Sequence, residues 1–330
     1  MPDGRRKRGC QKEAETLRAV TIDPGGILTI RDHDDPCAGG EDVVVRIRAA
    51  GLNNADLMQV QGKYPAPSGS PADIPGLEFA GEVVALGPRA HRYAVGDRVM
   101  GIVGGGAQAE LICVHECALM PIPENLSWAQ AGGFPEAFVT AHDALVAQTA
   151  LRPGERVLIT GAAGGVGMAA VQIATAIGAE VIASVRNTAT WDAIRSLGAS
   201  TVVTPDDADT KGPYDVILEL VGVDRFASHL TSIRTGSRIV VIGTGSGAQA
   251  MLDFRALSRN RASIRASTLR ARPLEDKAIA TRAVEREILP LVSRSKLTVV
   301  VSSTFPLEEV RASYAAFGAR GKLGKIVLLP

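Results

Sequence analysis

The sequence predicts an α/β protein of two domains, the first rich in strands and the second built on a doubly wound parallel sheet. Three observations carry that expectation. The chain has 330 residues, more than the roughly 100–200 that one hydrophobic core commonly supports. Its first third mixes short β-branched runs with Gly and Pro punctuation. From residue 156 onward strand and helix signals alternate, the pattern of a parallel sheet covered on both faces.

Composition narrows the class. Hydrophobic residues make up 46% and charged residues 22%, which is globular rather than disordered. A formal net charge of +1 gives no broad field for nucleic acid or anionic lipid, so any basic feature is local. Arg5-Arg6-Lys7-Arg8 is such a feature. It sits in a stretch without apolar periodicity, and residues 1–15 are expected to be a disordered extension, with a nucleic-acid or targeting role as the minor reading. Four cysteines, Cys10, Cys37, Cys113 and Cys117, do not make a disulfide framework in a chain this long. No apolar segment follows the basic run to form a signal peptide, so a reducing, cytoplasmic setting is expected. The run 157–185 is apolar enough to raise a membrane span, but a Gly cluster, Gln172 and Glu180 interrupt it. A buried strand, helix and strand explain it better.

The elements follow in order. Leu17-Arg18-Ala19-Val20 opens a first strand, and strands are expected over 42–48, 78–86, 97–103 and 109–114. Pro121, Pro123 and Pro135 close this domain, and 136–149 reads as a linking helix. Beyond it come strand 157–160, helix 166–177, strand 180–183, helix 190–197, and strands 201–203, 215–219, 238–242 and 264–267. A helix over 276–291 and an apolar strand over 324–329 finish the chain, the strand returning to the first domain. The expected division is 16–139 with 277–330 as one domain and 140–276 as the other.

Gly161-Ala162-Ala163-Gly164-Gly165-Val166-Gly167 follows a buried strand and opens an amphipathic helix, the setting of a dinucleotide turn. Small residues allow the sharp turn, bare backbone lets a pyrophosphate reach the helix N-terminus, and the last glycine permits close packing of helix on strand. Ala162 stands where the common fingerprint has its first Gly. A purely structural glycine turn is the plain alternative. Roughly 20 residues further on, an NAD site would carry an Asp or Glu for the ribose hydroxyls. Here the chain reads Ser184-Val185-Arg186-Asn187. The forked donors of Arg186 match a phosphate, which points to NADPH, although an ordinary surface arginine would look the same.

With that turn placed, the chain from about residue 17 onward resembles the medium-chain dehydrogenase/reductase superfamily, and within it the zeta-crystallin-like quinone oxidoreductases. The resemblance rests on Ala50-Gly51-Leu52-Asn53-Asn54-Ala55-Asp56, Gln61-Gly62-Lys63-Tyr64, Pro75-Gly76-Leu77-Glu78, Gly96-Asp97-Arg98-Val99, Thr140-Ala141, Gly161 to Gly167 and Gly324-Lys325-Ile326-Val327-Leu328. Ala266-Ser267-Thr268-Leu269-Arg270 and Glu287-Ile288-Leu289-Pro290 look most like the stress-inducible branch. It implies a GroES-like catalytic domain, a Rossmann domain, and a homodimer whose cofactor domains pair through an edge strand, for which 264–267 is the candidate.

The resemblance also implies roles. Asn53 would contact the nicotinamide amide or the substrate oxygen, and Tyr64 would orient the acceptor or supply a proton, unless it only anchors its own turn. Thr140 would start the linking helix near the nicotinamide. Gly243, Leu269 and Lys325 join the cofactor set, while Asp56 and Glu78 would hold cleft loops. Zinc-dependent relatives carry a Cys near the position of Asn53, a His at that of Leu77 and a four-Cys lobe, none of which stands here. Cys113-Val114-His115-Glu116-Cys117 imitates a metal cluster, but two Cys and one His fall short of a closed tetrahedral site, and no metal is expected. One departure lies between Pro205 and Tyr214, where the chain is short, without the usual helix or an adenosine-packing tyrosine near Thr204.

Reducing a simple ketone creates a strongly basic alkoxide that needs a Lewis acid or a firm proton donor. A reduced quinone is delocalised and far less basic, so positioning and a modest donor suffice. The sequence therefore points to NADPH-dependent reduction of a quinone-like acceptor. Two readings compete: an enoyl or alkenal (conjugated enone) reductase in the same fold, and a non-catalytic NADPH-binding or RNA-binding protein. Near-zero charge and few aromatics weigh against nucleic acid.

Overall fold

The computed structural model describes residues 16–319 and 321–330. The expected extension over 1–15 lies outside the described residues.

Strands β1 (Thr16–Asp23) and β2 (Ile27–Asp34) form an antiparallel hairpin. Next come β3 (Asp42–Gly51), helix α1 (Asn54–Val60), and strands β4 (Glu78–Leu86), β5 (Arg98–Ile102), β6 (Leu111–His115) and β7 (Leu119–Pro121). Helices α2 (Trp128–Gly132) and α3 (Pro135–His142) then lead to the second half. β3 is the spine of the first sheet. It runs antiparallel to β4 along one edge and to β6 along the other. Its apolar residues Val43, Val45 and Ile47 are buried with Phe79, Val83, Val99 and Leu119.

The second sheet is fully parallel. It holds β8 (Arg156–Ile159), β9 (Glu180–Ser184), β10 (Thr201–Val203), β11 (Tyr214–Glu219), β12 (Ile233–Val241) and β13 (Ser263–Ala266), with order β10-β9-β8-β11-β12-β13. Helices α4 (Gly165–Ile177), α5 (Trp191–Ser196), α6 (Phe226–His229) and α7 (Phe254–Asn260) connect these strands. The central strands β8 and β11 carry near-continuous apolar runs because both faces are covered. Strand order reverses between β8 and β11, and in open sheets of this kind ligands gather at the strands' carboxyl ends at that point. Helix α4 ends on Gly178 in the left-handed region at φ 93°, which a residue without Cβ adopts freely.

After α8 (Leu274–Glu287) and α9 (Leu289–Ser293), the chain crosses back through β14 (Val301–Pro306), α10 (Val310–Gly318) and β15 (Lys325–Leu329). β15 pairs antiparallel with the end of β3 at Gly51 and Ala50, so the last segment does return to the first sheet. One apolar cluster joins the two halves through α3 and α4, with Phe134 stacked on Phe138 at 4.4 Å.

Several elements differ from expectation. The linking helix is α only over Pro135–His142 and continues as a π-helical stretch Asp143–Gln148. There the Thr149 hydroxyl donates to the carbonyls of Ala144 and Leu145. The helix expected over 276–291 is two, α8 and α9. Between Pro205 and Tyr214 a short 3-10 turn, Ala208–Lys211, stands where no helix was expected. β2, α1, β7, α2, α6, α7, β14 and α10 had no counterpart in the sequence reading.

Candidate active site

The end of β3 and the starts of β4 and β15 lie side by side, because β3 is antiparallel to both neighbours. They deliver Asn53, Glu78 and Lys325 to one point. The Lys325 ammonium has three donors, and three acceptors meet it: Leu52 carbonyl at 2.9 Å, Asn53 Oδ1 at 2.7 Å and Glu78 Oε1 at 2.5 Å. Asn53 Nδ2 in turn donates to Glu78 Oε1 at 3.0 Å. Lys325 is 5% exposed and Glu78 fully buried. A charge this buried is sustained only when paired and hydrogen-bonded.

Two more carboxyls close the cluster. Asp56 accepts from the backbone N–H groups of Asn53 and Gly76, holding the first turn of α1 against the loop before β4. Burial pushes its pKa up to about 7. Glu136, at the start of α3, gives its backbone N–H to Glu78 Oε2 at 2.8 Å. Its own Oε1 accepts from the Thr140 hydroxyl at 3.4 Å, while Oε2 is buried without a partner among the described residues. Burial first, and then the neighbouring Glu78, raise this carboxyl to about 7 as well. Thr140 lies in the second half of α3, not at its start as expected, so its hydroxyl answers Glu136 and caps no helix.

The glycine turn abuts this cluster. Gly161 has φ 60°, and a Cβ on Gly165 would sit 2.7 Å from Lys325 Cδ. A Cβ on Gly167 would lie 2.5 Å from the Gly161 carbonyl, so α4 rests directly on the turn. Ala162 is buried and donates to the Ser184 carbonyl; Ala163 and Val166 are half-buried on the same turn. Gly164 caps α4 with no side-chain bond, leaving the orphan N–H groups of the helix free for an anion. This bare cradle fits a dinucleotide. Arg186, exposed just past β9, makes no ion pair among the described residues. Gly243 follows β12 and packs so tightly on Leu220 that a Cβ there would meet the Leu220 carbonyl.

Tyr64 is half-buried, its hydroxyl 3.3 Å from Thr268 Oγ1. Arg270, which sequence reasoning used only as part of a motif, fixes this region from the other half of the chain. Its guanidinium donates to the Gly104 carbonyl at 2.8 Å, the Tyr64 carbonyl at 3.0 Å and Gln59 Oε1, and stacks over the Tyr64 ring at 5.0 Å. Leu269 beside it is buried. Lys277 of α8 lies within electrostatic reach of Glu136 and Arg270, and burial lowers its pKa. A cavity of about 550 Å³ runs beside residues 102–106 and Lys277 but includes none of Asn53, Tyr64, Thr140 or Lys325.

The sequence reading missed Glu136, Arg270 and Lys277. Only the Pro135-Glu136 pair at a helix start gave any local signal, because the partners of all three come from distant segments. A metal does not fit the donor set. Asn53 and buried Leu77 offer no ligating pair, and the Asn53 side chain is taken up by the Lys325 ammonium and Glu78. Among the described residues no group of three or more His, Cys, Asp or Glu is arranged to hold a metal ion, and no helix is long and apolar enough to cross a membrane.

Comparison with known proteins agrees with this geometry. Residues 39–124 match the alcohol dehydrogenase GroES-like domain and residues 165–285 the zinc-binding dehydrogenase model. Over 233 residues, 69% of the chain, it is 40% identical to polyketide synthase GfsB of Streptomyces halstedii. The chain spans only 4% of that protein and 14% of the Streptomyces orinoci polyketide synthase NorB. It is also 30% identical to a quinone oxidoreductase of Pseudomonas aeruginosa, covering 92% of this chain and 96% of that one. A solved NAD-dependent alcohol dehydrogenase superposes with TM-score 0.84 at 28% identity, over 95% of this chain and 99% of that one. The glycine turn beside a sheet-end cluster, the two matched domains and a full-length likeness converge: the chain belongs to the medium-chain dehydrogenase/reductase superfamily, among its quinone oxidoreductase-like members.

Proposed function

We propose that this chain is a metal-independent NADPH:quinone oxidoreductase. The carrying observation is the Lys325 ammonium held by Asn53, Glu78 and the Leu52 carbonyl, with Asn53 and Leu77 at the positions where the resemblance puts a Cys and a His in zinc-dependent relatives. A site organised around a fixed, fully hydrogen-bonded ammonium suits acceptors whose reduced form is a stabilised anion.

Bound at the turn, the nicotinamide cofactor would supply a hydride; binding and positioning fall to this chain's own backbone and side chains. Gly161 to Gly167 and the N-terminus of α4 hold the pyrophosphate, and Arg186 grips the 2′-phosphate that separates NADPH from NADH. Gly243, Leu269 and Thr140 line the path toward the cluster. Asn53 is oriented by Lys325 and Glu78, and Tyr64, braced by Arg270, positions the acceptor with its hydroxyl. The protein is further proposed to act as a cytoplasmic homodimer paired through β13, with no nucleic-acid partner.

A second reading, reduction of an enone or enoyl thioester, is favoured by the 40% likeness to a segment of a polyketide synthase. The test is loss of nicotinamide absorbance with 1,2-naphthoquinone, using NADPH and NADH separately. Turnover favouring NADPH, with Arg186→Ala raising the KM for NADPH by about tenfold and leaving that for NADH unchanged, is the expected result. NADPH binding without quinone turnover, but with turnover of a conjugated enone or crotonyl thioester, would move the assignment to the second reading.

A further inference from the structure

A second buried charge cluster, separate from the one around Lys325, lies behind the glycine turn. Glu219 is the last residue of β11 and 2% exposed. Its Oε1 accepts three hydrogen bonds: from the Thr160 hydroxyl at 2.6 Å, the Val221 N–H at 2.8 Å and the Gly222 N–H at 3.1 Å. Thr160 Oγ1 itself accepts from the Leu220 N–H at 2.8 Å. Thr160 immediately precedes Gly161, and Val221 Cγ2 lies 3.0 Å from where a Cβ on Gly161 would stand. One carboxylate thus fixes both the residue that enters the glycine turn and the loop on which that turn rests.

The other oxygen of Glu219 faces His229. Oε2 is 3.4 Å from Nε2, while Nδ1 of the same ring is 2.7 Å from Asp209 Oδ1. His229 is 2% exposed. The charged groups facing the imidazole come from two elements, Asp209 from the turn before β11 and Glu219 from its end. Tyr214 is buried and gives its hydroxyl to the Ala208 carbonyl, and Arg225, one turn before His229, is taken up by Asp206 and the Pro205 carbonyl. As an imidazolium the ring bonds Asp209 through Nδ1 and sets its charged Nε2–H side 3.4 Å from Glu219 Oε2, an ion-pair contact in which Nε2 makes no hydrogen bond among the described residues. A neutral ring that keeps its proton toward Asp209 turns a lone pair toward Glu219 and leaves that carboxylate buried without a countercharge.

We propose that His229 is a positioning residue for the dinucleotide: as a buried cation it keeps Glu219 ionised, and ionised Glu219 holds Thr160 and the loop 220–222 against the Gly161 turn. The inference rests on the reading of Gly161 to Gly167 as a nicotinamide dinucleotide site. Its electrostatics agree, since the two carboxylates, Asp209 bonded to the ring and Glu219 facing it, raise His229 to about 9 against the cost of its burial. Burial alone would raise both acids, yet Asp209, bonded to the ring, and Glu219, which faces it and accepts from Thr160 and the Val221 and Gly222 N–H groups, are held below their ordinary values.

The test is nucleotide binding, read by nicotinamide fluorescence with NADPH and NADH from pH 7 to pH 10, with thermal melts at each pH to mark the folded range. For the wild-type protein the dissociation constants of both nucleotides are expected to rise together by roughly five- to tenfold as pH passes about 9, the loss of a bonded charge partner corresponding to that order. A parallel rise places the effect at the turn rather than at the 2′-phosphate. His229→Gln is expected to bind both more weakly at pH 7 and to show no break near 9. If His229→Gln does not fold, Asp209→Asn serves: removing one countercharge should move the wild-type break to lower pH. A purely structural ion cluster predicts a lower melting temperature with unchanged affinities and no break in either profile, and that result overturns the proposal. Failure of the wild type to bind either nucleotide at any pH overturns the dinucleotide reading itself, and this inference with it.

Discussion

At the scale of single residues, the cluster at the sheet ends holds more acid than base, and Glu136 bears the consequence. Its carboxyl ionises near 4.5 in an ordinary setting and near 7 here, because of burial and then of Glu78. The sign follows from linkage. The folded state binds more protons than the unfolded one between those values, so Glu136 makes stability fall as pH rises through that window, and the loss persists above it. Glu136→Gln is therefore expected to raise the melting temperature at pH 8 by about 3–6 °C and to change it little at pH 5. Equal shifts at both pH values, read by differential scanning calorimetry, would contradict this. The strand, turn and helix around Gly161 were legible because their signal is local, a small number of residues at fixed spacing, and the same spacing singled out Arg186. Asn53 and Lys325 were reached only through resemblance, and Glu136, Arg270 and His229 not through any role, since a buried acid or base declares itself only by partners far away in sequence.

Among the elements, α4 and its turn depend on an approach that no side chain tolerates. At Gly167 a Cβ would lie 2.5 Å from the Gly161 carbonyl and 2.6 Å from Ala162 Cα. Both obstacles are backbone. Gly167→Ala is expected to destabilise the fold by about 1–3 kcal/mol and to weaken nucleotide binding, measured by urea unfolding and by fluorescence titration. The strands of the parallel sheet were readable because their apolar runs are flanked by helices on both sides. Those that escaped lie at margins. β2 carries Arg31, Asp32, His33 and Asp34 and is partly exposed, and β14 alternates half-buried with exposed residues and ends on Pro306. Pairing rather than composition makes them strands. The linking helix was expected as one piece because its apolar pattern continues past His142, whereas the Thr149 hydroxyl takes two backbone carbonyls and the hydrogen-bond ladder widens.

For the whole molecule, Arg270 ties the parallel sheet's side of the cleft to the loop that carries Tyr64, with every contact crossing between the halves. A lysine keeps the charge but cannot reach three acceptors and a ring face at once. Arg270→Lys is expected to raise the acceptor KM severalfold, to speed amide exchange over residues 59–64, and to leave nucleotide affinity unchanged. An unchanged KM with faster exchange would separate the tie from acceptor binding. The same long reach has a consequence in time. Lys325 meets Leu52 across 273 positions of sequence, and β3 gains β15 as a neighbour only through that final strand. The six parallel strands, by contrast, are contiguous from Arg156 to Ala266. On a ribosome, therefore, the half that carries the glycine turn can close while the first sheet still lacks a strand, and Glu78 and Asn53 wait for their ammonium until Lys325 has emerged, well after β13. On the function proposed above, the nascent chain can be ready to hold its reductant before it has any place to use it.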